Sequence, residues 1–341
     1  MLVYSLRRIA GMVPTLLVIS FLVFFVIELP PGDYLSNQIA QLKAQGEASS
    51  VAKLEFLRHE FALDEPFWKR YLIWIGAWPG PHGFSGLLQG DWGWSFEFAR
   101  PVEEVVGPTL LLTVILNFTT VLFVYIVSFP IGIYSATRQY SWGDYGFTLI
   151  GYIGLATPNF LLGLIMLYLS NRWFGLSVGG LMAPEFIGQP WSVDKVLSVL
   201  AHLIIPTIVI GTSGTAGMIR RLRANLLDEL HKQYVTTARA KGLAEAKLLV
   251  KYPMRMALNP FIADIGNIIP SLVSGSVIVS VVLNLPTVGP ILLTSLQSQD
   301  QFLAGFIILF VSILTLVGML ISDLLLAVVD PRIRLGAEAG R

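Results

Sequence analysis

The sequence predicts an all-α polytopic membrane protein with six spanning helices. Of its 341 residues, 54% are hydrophobic and 13% are charged, whereas an ordinary soluble domain has roughly 45–50% apolar and 25% charged residues. Several apolar segments reach about 20 residues, the length that a helix needs to cross a hydrocarbon core roughly 30 Å thick. Lysine and arginine are concentrated in particular connecting segments, which is typical of a chain that crosses a membrane repeatedly.

Six segments are long and apolar enough to span: Ile9–Leu29, Leu110–Ile133, Tyr145–Ser170, Val199–Ile219, Phe261–Leu283 and Phe302–Val329. The first follows Arg7 and Arg8, as a secretory signal would, but its apolar run exceeds the core of a signal and no small-residue cleavage motif follows it before Pro30. We therefore predict an N-terminal anchor helix over 1–29, an outer segment over 30–109, and a membrane core over 110–341 that contains a cytoplasmic loop at 220–258.

The distribution of basic residues predicts the orientation, because cytoplasmic loops carry the excess of Lys and Arg. With the N-terminus inside, the inner pieces hold fifteen basic residues and the outer pieces hold eight. Nine of the fifteen lie between Arg220 and Arg255. Both termini and the 220–258 loop are thus predicted to face the cytoplasm.

The net charge and the cysteine content exclude several kinds of partner and site. A net charge of +1 gives no basic surface of the kind that nucleic-acid binding needs, so we expect no nucleic-acid partner. The lack of cysteine excludes disulfides, thiolate metal sites and cysteine nucleophiles. The small-residue run from Gly211 to Gly217 lacks the Lys-Ser/Thr ending of a phosphate loop and lies at membrane depth, so it predicts close helix packing, within the chain or with a second subunit.

The outer segment is longer than a connection requires, which usually indicates a function. It contains an aromatic run, Phe67–Trp74, and the motif Gly90-Asp91-Trp92-Gly93-Trp94-Ser95-Phe96. Two interpretations remain open. The aromatic residues lie at the membrane interface, where amphipathic rings are enriched, or Asp91, Trp92 and Trp94 form a docking surface for an external partner.

Polar residues within the spans are few. Pro158 predicts a kink in the third span, with a structural role or a role in lining a pathway. Asn117, Asn159 and Asn267 could line a substrate pathway or form helix-to-helix hydrogen bonds, and the second interpretation is favoured.

The ionisable residues within the spans are Glu28, His202, Asp264 and Asp323. An ion-coupled transporter is expected to hold such groups near the midplane. These four fall near the ends of their spans, which argues against ion coupling and implies another energy source.

The 220–258 loop has its own pattern. The span-four helix is predicted to continue into water from Leu222 to His231, followed by a short helix over Gln233–Lys241 that Gly242 ends. A second short helix is predicted from Glu245 to about Tyr252. Two short helices with small residues on the first and a glycine turn between them make a compact knob suited to a socket on another protein.

The stretch from Tyr234 to Leu243 reads Tyr-Val-Thr-Thr-Ala-Arg-Ala-Lys-Gly-Leu. It resembles the Glu-Ala-Ala-x-x-x-Gly cytoplasmic loop of ABC importer permeases. The form of the motif is similar to that of the subfamily that imports peptides, nickel and glutathione. Further motifs fall in that family's order along most of the chain: Arg7-Arg8, Pro14-Thr15, Gly90–Phe96 with Pro101-Val102, Pro158-x-Phe160, His202 with Pro206, and Asp330–Arg334.

The resemblance implies a subunit without catalytic residues, working with a second homologous permease subunit, two ATP-binding subunits and an external solute-binding protein. ATP and Mg²⁺ would be bound by the ATPase subunits and no cofactor by this chain. It also implies a multi-pass protein of the inner membrane that contacts lipid. The coupling residues implied by position are Tyr234, Thr237, Ala238, Arg239, Ala240, Lys241, Gly242 and Leu243. Ala238 and Ala240 would allow close approach, Gly242 would make the turn, and Arg239 and Lys241 would contact the partner.

The sequence departs from the family patterns in three ways. Thr236 stands where the wider importer family has Glu, an acid that the peptide subfamily often lacks. Ala244 stands where the subfamily commonly has a serine able to cap the second helix. After the fifth span, Ser280 and Pro286-Thr287-Val288-Gly289 replace a Glu and a Pro-Gly-Leu-Gly pattern, which weakens inferences about the cargo. The expected cargo is a di- or oligopeptide, with an oligosaccharide as the competing expectation. An ion-coupled transporter or channel is the alternative from a different class, and an integral-membrane enzyme is disfavoured because no titratable residues converge at one depth.

Overall fold

The computed structural model describes residues 2–30, 32–45, 48–174 and 179–329. The described part is almost entirely helical. Its helices are α1 (Leu2–Glu28), α2 (Tyr34–Gln45), α3 (Ala48–Glu60), α4 (Phe67–Ile75), α5 (Val102–Thr137), α6 (Trp142–Ala156), α7 (Asn159–Phe174), α8 (Val193–Leu230), α9 (Gln233–Ala240), α10 (Glu245–Lys251), α11 (Pro253–Ala263), α12 (Ile265–Val282), α13 (Val288–Gln297) and α14 (Gln301–Val329). Short 3₁₀ turns lie at Leu87–Gln89 and Pro184–Phe186, and strands β1 (Trp94–Ser95) and β2 (Arg100–Pro101) pair antiparallel with Trp94 opposite Pro101.

The all-α polytopic class is confirmed. Four helices of the described part, α1, α5, α8 and α14, are long and apolar enough to cross a membrane, with mean hydropathies between 2.0 and 2.7. The bent pair α6 and α7 passes the same test together, which gives up to five spans if the pair forms one. The predicted fifth segment, Phe261–Leu283, is divided between α11 and α12 at Asp264, so the six predicted segments agree approximately with the helices observed.

The third predicted span, Tyr145–Ser170, is wrong as one continuous helix. The chain bends by 103° between α6 and α7. Thr157 ends α6 in an extended conformation, with φ −84° and ψ 120°, as expected for a residue before proline, where the helical region is disfavoured. Pro158 cannot donate a backbone hydrogen bond, so the kink predicted at this residue is a complete break.

Helices α5 and α8 begin earlier than the spans predicted for them. α5 begins at Val102, not Leu110, with Glu103 and Glu104 in its first turn, where carboxylates stabilise the positive end of a helix. α8 begins at Val193 because the Ser192 hydroxyl accepts a hydrogen bond from the Lys195 amide at 3.2 Å. It continues to Leu230, which confirms the predicted extension of this helix beyond the span.

Contacts divide the chain into two compact units, and neither is continuous in sequence. One comprises Ala10–Thr113 and Thr287–Ile313, and the other comprises Met1–Ile9, Val114–Pro286 and Leu314–Arg341. The predicted division at 29/30 and 109/110 concerns the sides of the membrane and remains a prediction. The closing motif Asp330–Arg334 lies outside the described residues.

The first unit joins the outer segment to α13 and the start of α14. Val102 and Val106 of α5 pack with Val288, Leu303 and Ile307 in a cluster whose members are fully buried. Asp300, also fully buried, connects this core to the β1–β2 hairpin. Its Oδ2 accepts hydrogen bonds from Ser95 Oγ at 2.7 Å and the Glu97 amide at 3.1 Å, and its Oδ1 accepts from the Leu303 amide at 3.3 Å.

The second unit packs α5, α8 and α11 around Val124, Met218, Leu222 and Phe261. The small-residue run of α8 permits close contact with α5: a Cβ atom at Gly211 would lie 2.7 Å from a ring carbon of Phe123. Real Cβ contacts are essentially never this short, so glycine is required here for the helices to approach.

Candidate functional site

The described structure forms the two short helices predicted in the 220–258 loop. α9 ends at Ala240, and the Lys241 amide donates to the Thr237 carbonyl at 3.1 Å. Gly242 then adopts φ +80°, a left-handed conformation that glycine adopts without strain, and its amide donates to the Arg239 carbonyl at 2.9 Å. α10 follows from Glu245. We call the segment Gln233–Tyr252 the knob.

The knob has a small apolar core of its own. Val235 and Leu248 are fully buried and Ala238 is 6% exposed, and Leu243 and Tyr252 pack against them. Ala238 therefore belongs to the core of the knob, and its expected role in the close approach of a partner stays a prediction. The close packing of α9 on α10 explains why a small residue, alanine, stands at position 238.

An ion pair joins the two helices of the knob on its surface. Arg239 donates to the two carboxylate oxygens of Glu245 at 2.6 and 3.1 Å. The hydrogen bond from Arg239 lowers the pKa of the Glu245 carboxyl, and the same contact raises the pKa of the arginine. Both side chains remain half exposed or more. Arg239 thus has a partner within the chain. Its contact with another subunit stays a prediction.

The exposed residues of α9 and of the turn that follows it include Tyr234, Thr237, Ala240, Lys241 and Gly242. The Tyr234 hydroxyl donates to Glu229 near the end of α8; burial and this contact raise the pKa of the tyrosine. The Thr237 hydroxyl donates to the Gln233 carbonyl at 2.9 Å. Ala244 precedes α10 without a side-chain cap, as its departure from the subfamily pattern predicts.

The end of α8, which leads into the knob, is fastened to the helices around it. Leu226 of α8 is fully buried against Ala136 of α5 and Ala257 of α11. Asp144, only 2% exposed at the start of α6, accepts two hydrogen bonds from Arg223 of α8 at 2.9 and 2.8 Å. The sequence did not predict this ion pair, because Asp144 falls between the second and third predicted spans. The signal was present as Ser141, a capping residue three positions before an acid.

A cavity of about 270 Å³ lies in the second unit. Its lining includes Asn159, Ser213, Arg221, Asp264 and Asn267. It therefore brings together two of the three asparagines that the sequence singled out. The third, Asn117, is not among the lining residues and is buried at 8% exposure in α5.

The ionisable residues of the predicted spans lie next to partners. Glu28 pairs with Arg70, and Asp323 pairs with Arg8 at 2.9 Å. Asp264 accepts a hydrogen bond from Arg221 at 2.9 Å, and His202 Nδ1 lies 2.8 Å from the Ser198 carbonyl. Each of the three carboxylates thus forms an ion pair with an arginine of its own unit.

The outer-surface residues have different environments. Trp92 stacks on Phe306 with ring centroids 4.2 Å apart, so much of it belongs to the core of the first unit. Trp94 and Asp91 line a separate cavity of about 330 Å³. Asp91 accepts hydrogen bonds from Ser85 and from the Gly93 amide. Asp91 and Trp94 are thus accessible from one cavity, and Trp92 is a packing residue.

Residues 128–335 match the family described as binding-protein-dependent transport system inner membrane component, and residues 1–117 match the N-terminal region of such membrane components. The chain belongs to this family. It is an integral inner-membrane permease, a transport component and not an enzyme, and permeases of this family work with an external binding protein and an ATPase.

Two relatives align with this permease over nearly their whole lengths. The oligopeptide transport system permease protein AppB of Bacillus subtilis is 34% identical over 337 residues, covering 98% of this chain and 99% of the relative. The glutathione transport system permease protein GsiC of Escherichia coli K12 is 30% identical over 334 residues, with the same coverage.

Proposed function

We propose that this permease takes up di- or oligopeptides that an external binding protein delivers. The similarity to AppB, named for oligopeptide transport, over 98% of the chain carries this proposal. GsiC is named for glutathione transport, and glutathione is itself a peptide. Both names favour a peptide over an oligosaccharide, the competing cargo.

The knob is proposed to couple transport to ATP hydrolysis on partner subunits. Its exposed face, at Tyr234, Thr237, Ala240, Lys241 and Gly242, would enter a cleft on an ATPase subunit. Its inner residues keep the knob rigid, since Val235 and Leu248 are fully buried. A rigid knob fastened to α8, α5 and α11 transmits a displacement of the ATPase to the spans, which is the differential contact that a two-state switch requires.

The proposed assembly contains this chain, a second homologous permease subunit, two ATPase subunits and one binding protein. Both termini and the knob would face the cytoplasm, because the Lys and Arg excess lies on that side. ATP and Mg²⁺ would be bound by the ATPase subunits, and this chain would bind no cofactor. The cavity that holds Asn159 and Asn267 would form part of the pathway, and Asp91 and Trp94 would face the binding protein.

The arginine partners of Glu28, Asp264 and Asp323 support ATP-driven transport over ion coupling, because each carboxylate already has a cationic partner within the chain. Neutralising Asp323 to Asn is therefore expected to leave uptake within a few-fold of wild type. An ion-coupled mechanism predicts that this substitution abolishes uptake. Complete loss of uptake in Asp323→Asn would therefore contradict the proposal.

The direct test is uptake by the complete complex in proteoliposomes with ATP inside or outside as the orientation requires. Peptides and oligosaccharides are offered with the cognate binding protein. Peptide-dependent uptake and stimulation of ATP hydrolysis are expected. Stimulation by oligosaccharides alone would overturn the peptide assignment.

A further inference from the structure

The Arg221–Asp264 ion pair lies on the wall of a cavity. Arg221 and Asp264 both line the 270 Å³ space that also holds Asn159, Ser213 and Asn267. Arg221 Nη1 donates to Asp264 Oδ2 at 2.9 Å, and Asn267 Nδ2 donates to the other oxygen, Oδ1, at 3.1 Å. A positive and a negative group therefore stand side by side at a polar opening.

Both charged groups remain accessible. The Arg221 side chain is 53% exposed and the Asp264 side chain is 25% exposed. The contact uses Nη1 of a guanidinium that has five N–H donors. The Asp144–Arg223 pair differs, because its aspartate side chain is 3% exposed and accepts two hydrogen bonds. The Arg221–Asp264 pair is the more easily opened of the two.

The backbone around Asp264 also permits local change. Asp264 stands at the junction of α11 and α12, where one helix ends and the other begins. Arg221 lies over the Phe261 ring, with its Cζ 5.6 Å from the centroid, so the guanidinium retains a favourable contact when its carboxylate partner leaves.

We propose that this pair recognises the two charged ends of a peptide by exchange: the peptide carboxylate replaces Asp264 on Arg221, and the peptide ammonium pairs with the released Asp264. This inference rests on the peptide function proposed above. It identifies the cargo that the cavity selects as a zwitterionic peptide with a free ammonium and a free carboxylate.

The exchange is favourable in principle because every charge is paired both before and after it. Breaking an ion pair by removing one partner is costly in a poorly hydrated site, since an uncompensated charge remains. A zwitterion brings one replacement for each partner, whereas a neutral oligosaccharide brings neither. The ends of a two-residue peptide are at most about 7 Å apart, so a short peptide can reach both side chains after they separate.

The test compares substitutions in the permease with blocked ends on the peptide, in proteoliposomes holding the complete transport complex. Uptake is measured for one tripeptide with free ends, its C-terminal amide and its N-acetyl form. Ratios between these forms, taken within each variant, cancel any preference of the binding protein. The variants are Arg221→Gln, Asp264→Asn and the double variant, which leaves no unpaired charge if a single variant fails to fold.

Arg221→Gln is expected to reduce the preference for the free carboxylate over the amide by about tenfold, the size expected for one charge-assisted hydrogen bond. Asp264→Asn is expected to reduce the preference for the free ammonium over the N-acetyl form similarly. The double variant should lose both preferences. Arg220→Gln is the matched control, because it removes the same charge at a neighbouring position that does not line this cavity, and it should retain both preferences.

If Arg221→Gln reduces the uptake of free and blocked peptides equally, or if the double variant keeps both preferences, the pair only ties α8 to α11. Either result would overturn this inference and leave the proposed peptide function standing. Wild-type uptake of oligosaccharides with no uptake of peptides would overturn the proposed function and this inference with it.

Discussion

The turn of the knob provides the sharpest prediction. Gly242 has φ +80°, a conformation that costs an ordinary L residue roughly 1–2 kcal/mol. A Cβ atom at this position would meet no other atom within 4 Å. The cost of Gly242→Ala is therefore backbone strain without a steric clash. At about 1.4 kcal/mol per factor of ten, the native turn should lose roughly 5- to 30-fold in relative population.

Three substitutions at this position should form a series. Gly242→Asn costs least, because asparagine tolerates the left-handed region. Gly242→Ala is intermediate. Gly242→Pro costs most, roughly 3 kcal/mol or more, because proline is fixed near φ −65° and lacks the amide that donates to the Arg239 carbonyl at 2.9 Å.

The assay is co-purification of the ATPase subunits with the detergent-solubilised permease, together with peptide-stimulated ATP hydrolysis. Both are expected to fall in the order Asn, Ala, Pro, while thermal unfolding of the membrane helices changes little. Gly146→Ala is the control, because it also adds a methyl group in open space but within helix α6. Unchanged co-purification for Gly242→Pro would refute the reasoning.

Three further predictions concern the framework of the two units and the knob. Asp144→Ala should destabilise the permease by roughly 3 kcal/mol, because Arg223 is left without its buried partner; a loss no larger than that of an exposed acid, measured by thermal unfolding in detergent, would contradict this. Asp300→Ala should cost about 2–3 kcal/mol in the same assay, because the Ser95 hydroxyl and two backbone amides lose their acceptor; Asp300→Asn should cost less. The knob should loosen in acid: the folded pKa of Glu245 is lowered, so the stabilisation from Arg239 is present above the carboxyl's ordinary value of 4.5 and is lost as pH falls through the folded pKa. Hydrogen exchange of α9 and α10 should show this loss, and Glu245→Gln should remove the pH dependence.

The sequence predicted the membrane spans and the knob well because both depend on local patterns. An apolar run of fixed length specifies a spanning helix, and a glycine between two short amphipathic segments specifies the turn at Gly242. The residue boundaries at Val102 and Val193 were missed because burial of Val102 and capping by Ser192 extend those helices beyond their apolar runs. The break at Pro158 was anticipated as a kink, but the 103° angle depends on packing that no local pattern contains.

The candidate site was predictable in position and less so in detail. The knob was located from residues 233–243, yet the roles of individual residues depend on which side of α9 faces α10. The resemblance implied the same role for Ala238 and Ala240, whereas the structure buries Ala238 and exposes Ala240. The pairing of Arg221 with Asp264 joins residues 43 positions apart, and a single sequence carries no signal for such a contact.

Cross-linking tests the central claim, that the knob inserts into an ATPase subunit, most directly. The chain has no cysteine, so single cysteines can be introduced without a background. Lys241→Cys, on the exposed face, is expected to form a cross-link to an ATPase subunit that depends on the nucleotide state. Ala238→Cys, inside the knob, is expected to form none. A complex that hydrolyses ATP in response to peptide but gives no cross-link at Lys241→Cys would contradict the claim.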